Sequence, residues 1–241
     1  MSHFVLVHGS WSDAAVWQQV AAQLRDAGHR VIAPDLPAHG LDATLPTEAS
    51  LDAYAATVVA AAHSLGGPVV LVGHSMAGTV ISTVAELHPD LVSHLVYVAA
   101  FLLPTGQSLY GFTQTSPGMA TSLLGANLRP GDDGTLGIEL SAAREIFCAD
   151  APDDVATAAI SRMRPDPLGP LGTPITVTDS KWGSVARSYI HTTADRAVSP
   201  ASQAEMVAAV GAQATASIDS GHLPMLSRPT ELTTAIFNLL N

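Results

Sequence analysis

Runs such as Phe4-Val5-Leu6-Val7 and Val69-Val70-Leu71-Val72 constrain this chain most, because they hold no polar residue to alternate against. A strand with one wet face alternates; a strand without alternation is buried on both faces, as in a parallel sheet covered by helices. Six such candidates occur, at 4–8, 30–34, 69–73, 94–99, 187–192 and 214–218, and segments of helical period separate them. In 13–27, Val16, Trp17, Val20 and Leu24 share one helical face before a stop at Gly28. Ser50 is placed to cap a helix over 51–63, with Gly66 as its end, and Pro89 closes another at 76–88. Ser199-Pro200 and Pro229 mark two further helix starts. The alternation predicts an α/β fold with a mostly parallel sheet in a single domain over 1–241.

Between 104 and 174 the alternation lapses. Helical stretches around 139–148 and 153–163 and the proline-rich run 164–170 fit a mostly helical cap inserted over the sheet. Gly131-Asp132-Asp133-Gly134 reads as a turn, since it lacks the alternating oxygen ligands and closing glutamate of a calcium loop.

Composition narrows the function. The chain carries a net charge of −11 and a single lysine, Lys181, with no cluster of cations to displace the counterions of a nucleic acid. Its longest useful apolar run, Leu95 to Leu103, is half of what a membrane-spanning helix needs. One cysteine, Cys148, leaves no internal disulfide and reads as a small buried hydrophobe. With no basic leader before Phe4, the expectation is a soluble cytoplasmic protein acting on a small molecule.

The chemistry is concentrated where the strand Val69–Val72 runs through Gly73-His74-Ser75-Met76-Ala77 directly into a helix. That layout exposes a serine hydroxyl on a tight turn above a sheet, with small residues two places either side so that strand and helix can approach. Ala77 departs by one methyl from the glycine usual there. The spacing Gly73-x4-Gly78-Thr79 imitates a phosphate loop but has no lysine before Thr79, and a dinucleotide fingerprint would need glycine at Ser75.

A serine needs a base, itself oriented by an acid. The strand at 187–192 is followed by Asp195, and the strand at 214–218 by Gly221-His222, so both lie at the sheet edge that carries Ser75. Asp35 and Asp179 are weaker acids for the role: prolines 34 and 37 give Asp35 a loop-fixing look, and Asp179 precedes its strand. His8 is expected as a hydrogen-bonded scaffold and His74 as packing beside the turn. No short histidine pair suggests a metal site. The amides of Met76 and Ser10 are the expected oxyanion donors.

These residues resemble the α/β-hydrolases, and within them the branch of plant methyl-ester esterases, salicylate-binding esterases and hydroxynitrile lyases. The resemblance covers nearly the whole chain and is carried by Phe4–Gly9, Trp17, Gly28-His29, Asp35-Leu36, Gly73-His74-Ser75, Gly183–Val185, Tyr189-Ile190, Asp195 and Gly221-His222. Phe147 to Asp154 and Arg164-Pro165 resemble the cap helices of that branch. It implies an α/β-hydrolase fold on a six-stranded core and a Ser75, Asp195, His222 triad. It also implies a choice of chemistry: the lyases place a lysine after the histidine and threonine or asparagine after the first-strand histidine, where this chain has Leu223 and Gly9.

The expectation is therefore a cofactor-free serine carboxylesterase. A lyase on the same triad and a low-turnover small-molecule binder are the alternatives. Gly9, Trp11, Leu223, Phe112 and Phe147 are expected at the substrate, with Met119, Leu123, Leu124, Met163 and Leu168 adding an apolar lid that suits neutral lipophilic esters. The resembling branch includes dimers, so a homodimer is a possible state.

Overall fold

The computed structural model describes residues 1–240, and their strands follow the buried runs closely. In chain order they are His3–Val7 (β1), Arg30–Ile32 (β2), Val69–His74 (β3), Val92–Val98 (β4), Leu128–Pro130 (β5), Thr135–Ile138 (β6), Asp166–Pro167 (β7), Arg187–Thr192 (β8) and Ala214–Ile218 (β9). Six of them form one parallel sheet in the order β2-β1-β3-β4-β8-β9. β2 stops at Ile32, short of the expected 34, because Pro34 has no N–H to give a ladder.

The helices that cover the sheet are Gln18–Asp26 (α1), Leu51–Leu65 (α2) and Ala77–Leu87 (α3), then Pro200–Val210 and Pro229–Leu240 beyond the intervening segment. Local chemistry sets their ends. Ser50 Oγ accepts from the Ala53 amide at 3.1 Å, and Gly66 closes α2 at φ +81°, a left-handed turn that costs glycine nothing. β3 is buried along its whole length, as its unalternating sequence requires.

The segment between β4 and β8 holds Leu109–Thr115 (α4), Leu124–Asn127 (α5), Leu140–Phe147 (α6), Asp153–Ser161 (α7) and Leu168–Gly172 (α8). It also holds an antiparallel sheet, β5-β6-β7, that a mostly helical reading did not foresee. Strands of two to four residues carry too few positions for a period to be visible. The Gly131–Gly134 stretch is the turn joining β5 to β6, closed by the Gly131 amide on the Thr135 carbonyl at 2.9 Å.

Candidate active site

Ser75 sits between the end of β3 and the start of α3 at φ +54°. A side chain in that left-handed region costs about 1–2 kcal/mol, so the surroundings must hold it. They do so through the Ser75 amide, which donates to the Val98 carbonyl at 3.2 Å, and the Ser75 carbonyl, which accepts from Gly78 and Phe101 at 3.1 and 3.0 Å. A Cβ on Gly73 would lie 2.9 Å from the Ala77 carbonyl oxygen, which is the close strand–helix approach the motif needs. The second indispensable glycine is Gly78, where an added Cβ would strike the Phe101 backbone; Ala77 fits its methyl without exposure. A Cβ at Gly9 would come within 2.8 Å of the Ser75 Cβ, so Gly9 serves the packing under the turn.

Ser75, Asp195 and His222 are brought together. His222 Nε2 lies 3.0 Å from Ser75 Oγ, and its Nδ1 lies 2.8 Å from Asp195 Oδ2. Because Asp195 can only accept, Nδ1 carries the proton and Nε2 faces the serine as acceptor. Asp195 is fixed by further donors: Thr192 Oγ1 and Gln203 Nε2 on Oδ2, and the Ala197 and Val198 amides on Oδ1. Gln203, on the helix Pro200–Val210, also takes the Thr192 amide on its Oε1 at 3.0 Å. Sequence reasoning missed it; the only signal was a polar residue on a helix face otherwise turned inward.

The neighbouring titratable groups are neutral or structural. Burial pushes the His8 imidazole down to about 4; its Nε2 accepts from the Leu36 amide, and its Nδ1 donates to the Gly9 carbonyl. Burial, then the proximity of His222, holds His74 well below the usual histidine range, and its Nε2 donates to the His222 carbonyl at 2.8 Å. Both are scaffolds for the loops, as expected. Asp35 accepts from the Ala14 and Leu41 amides, so it fixes a loop, while Asp179 lies exposed. Cys148 is buried, with burial pushing its thiol up. Among the described residues no cluster of metal-ligating side chains occurs.

One buried pair escaped the sequence reading. His39 Nε2 meets Asp166 Oδ1 at 2.5 Å, and its Nδ1 donates to the Pro37 carbonyl at 3.0 Å. Burial alone would lower the His39 pKa, but the adjoining Asp166 charge and hydrogen bond outweigh it and raise it. An acceptor faces each ring nitrogen, an arrangement that favours the charged form of the ring. Asp166 belongs to β7 and also accepts from the Trp11 amide at 3.4 Å, which joins the 109–172 segment to the loop after β1.

Two cavities meet at the site. The larger, about 700 Å³ between the atoms with its mouth included, has Ser75 in its wall and an otherwise largely apolar lining that includes Phe101, Leu109, Met119, Leu124 and Leu171. The smaller, about 350 Å³, has His222, Leu223, Phe147 and Met163 in its wall. Ser10 and Trp11 line both, so Trp11 stands between them. Its Nε1 donates to the Leu136 carbonyl at 2.6 Å, and Phe147 packs on it at 5.7 Å between centroids. Of the residues expected at the substrate, Trp11, Phe147 and Leu223 line a cavity. Gly9 and Phe112 do not: Gly9 lies against Ser75 and His74 under the turn, and Phe112 packs edge-on to Phe101 at 6.0 Å, one layer behind the wall. Leu123 and Leu168 also fall outside both linings. The Ser10 and Met76 amides have no hydrogen-bond partner among the described residues, so two donors beside Ser75 are unspent.

A serine on a strained turn, at the C-terminal edge of a parallel sheet and answered from two later strand ends, defines a hydrolase architecture. The chain belongs to the alpha/beta hydrolase family, whose model matches residues 4–235, and to its methylesterase-containing branch. It is 33% identical to Methylesterase 7 of Arabidopsis thaliana over 95% of its own length and 92% of the relative's. It is 30% identical to Putative methylesterase 11, chloroplastic, of the same plant over 96% of its length, and spans only 62% of that longer protein. The crystal structure of a pyrethroid hydrolase from Sphingobium faniae JZ-2 superposes with a TM-score of 0.87 at 27% identity, covering 98% of this chain and 96% of the other.

Proposed function

We propose that this protein is a serine esterase that hydrolyses neutral, lipophilic esters through an acyl-enzyme on Ser75. The observation that carries the reading is the hydrogen-bonded series Ser75 Oγ, His222 Nε2, His222 Nδ1, Asp195 Oδ2, opening on a mainly apolar cavity. His222 takes the Ser75 proton as Oγ bonds to the ester carbon. Asp195 holds the imidazolium, and the Ser10 and Met76 amides receive the charge on the former carbonyl oxygen. The acyl–oxygen bond then breaks, the proton passes from Nε2 to the departing alcohol, and water attacks the acyl-enzyme with His222 again as base.

The relatives support an ester substrate by name: a methylesterase and a pyrethroid hydrolase. Methyl or aryl esters suit a site with one roomy and one small cavity. The only lysine, Lys181, pairs with Glu86 at 3.9 Å rather than with the Ser75 site, which favours hydrolysis over the lyase chemistry that needs a lysine beside the histidine. The 104–174 segment acts in this reading as a cap, since it supplies much of the wall of both cavities. A cytoplasmic setting belongs to the proposal and rests on the single free cysteine.

Turnover of p-nitrophenyl acetate by the wild type and Ser75→Ala tests it. The variant should lose at least about 10⁴-fold in kcat while remaining folded. Equal rates in the two proteins would end the esterase reading.

A further inference from the structure

The smaller cavity ends on an ion pair. Arg162 Nε donates to Asp13 Oδ2 at 2.8 Å, and the two are tethered on opposite sides of the gap. Asp13 Oδ1 accepts from the Ala15 amide, as the cap of the short helix Ala14–Trp17, so its carboxylate cannot swing away without unmaking that turn. Arg162 follows α7 directly, and its Nη1 donates to the Ala158 carbonyl at 2.9 Å. Asp13, Arg162 and Met163 line the smaller cavity from outside the triad. The same three residues also line an open groove on the other face, which Ala14, Gly40 and Leu41 continue. They are the wall between the two spaces.

The leaving alcohol belongs in the smaller cavity. Ser75 lines the larger one and His222 the smaller. The alkoxide that departs from the ester carbon must take its proton from His222 Nε2, so its chain extends on the histidine side of Trp11 while the acyl chain extends on the serine side.

We propose that the Asp13–Arg162 ion pair, with Met163, is the end wall of the alcohol subsite and limits the length of the alcohol this enzyme releases. The assignment rests on the esterase reading above and deepens it: the favoured substrates are esters of a bulky apolar acid with a short alcohol. A longer alkoxy chain meets the ion pair, which can yield only by separating two charges in a partly buried setting; Asp13 is 9% exposed and Arg162 is 38% exposed. With the guanidinium removed, the chain passes into the groove and on to solvent.

The test is kcat/KM for methyl, ethyl, butyl and octyl esters of phenylacetic acid, set beside a series of methyl esters of lengthening acids. In the wild type the alcohol series should fall steeply, by about tenfold or more once the lobe is filled. Arg162→Ala should raise the octyl-to-methyl ratio by at least about tenfold, Arg162→Lys should keep the wild-type ratio, and neither should alter the acyl-length profile. Met163→Ala opens the same wall and serves if Arg162→Ala does not fold. An active wild type with a flat alcohol profile, or an alcohol profile that neither truncation changes, overturns the wall while leaving the esterase reading intact. A wild type that turns over no ester in either series removes both.

Discussion

The strand-end loops of the sheet and the segment between β4 and β8 face each other across the cavities, and they are built on different principles. Each group at the sheet edge sits one to four residues past a strand whose ladder is complete: Ser75 after His74, Asp195 after Thr192, His222 after Ile218. Backbone hydrogen bonds fix the anchor, and a few side-chain bonds fix the rest. The facing segment has strands of two to four residues and short helices, and apart from a few backbone bonds, such as the Leu123 amide on the Arg196 carbonyl and the Leu223 amide on the Phe147 carbonyl, it is held to the body by side chains reaching across. Examples are His39 to Asp166, Trp11 Nε1 to the Leu136 carbonyl, Arg162 to Asp13, and Ser116 Oγ to Glu205 at 2.6 Å. Reaction geometry thus rests on the cooperative sheet, and the shape of the substrate space rests on separable contacts. Chemistry is hard to move in such a molecule, while specificity is not.

The largest expected effect strikes the rigid side of this contrast. Asp195→Asn replaces the acceptor for His222 Nδ1–H with a group that can offer a donor, so the ring turns or changes tautomer and Nε2 no longer faces Ser75 as acceptor. Its kcat should drop by up to about 10⁴ with the thermal midpoint little changed. Retained activity in a folded Asp195→Asn, with loss instead in Asp35→Asn, would move the acid to the loop after β2.

The next effect probes the separable side. In the folded protein the His39 pKa is raised above its ordinary 6.5. The stabilisation from the pair is therefore complete below about pH 6.5 and is lost as pH rises through the folded value. Asp166→Asn should cost about 3 kcal/mol at pH 6 in urea unfolding, and distinctly less at pH 9. A cost that does not shrink on going alkaline would show that His39 is held neutral.

The smallest effect tests how far the rigid side extends. Gln203→Leu removes a donor to Asp195 and the acceptor for the Thr192 amide without touching the serine or histidine. It should lower kcat by roughly tenfold at nearly constant KM, through displacement of the acid. An unchanged kcat would confine the rigid side to the triad itself.

Much of the fold, and the meeting of Ser75, His222 and Asp195, could be read from the chain because each follows a local rule. Unalternating runs at Phe4–Val7 and Val69–Val72 give buried strands, Ser50 and Gly66 bound a helix, and Gly73-His74-Ser75 can expose its hydroxyl only on a strand-to-helix turn. Asp195 and His222 then follow from their position after later strands. The same local logic placed the second close approach at Ala77, whereas the Phe101 backbone crosses nearest Gly78, a fact held by a chain crossing more than twenty residues away.

What the sequence by itself determined is the order of strands and turns, because burial on both faces and backbone hydrogen bonding act between near neighbours. Only the tertiary structure decided which of the facing residues reach the cavities. Phe112 and Phe147 are both aromatic, both buried and both in the 104–174 segment, yet one packs behind the wall on Phe101 and the other stands beside His222. Nor could spacing pair His39 with Asp166 or Asp13 with Arg162, which are 127 and 149 residues apart. Such pairs form by the packing of one layer on another, and a charge or a ring in a sequence carries no mark of what will lie across from it.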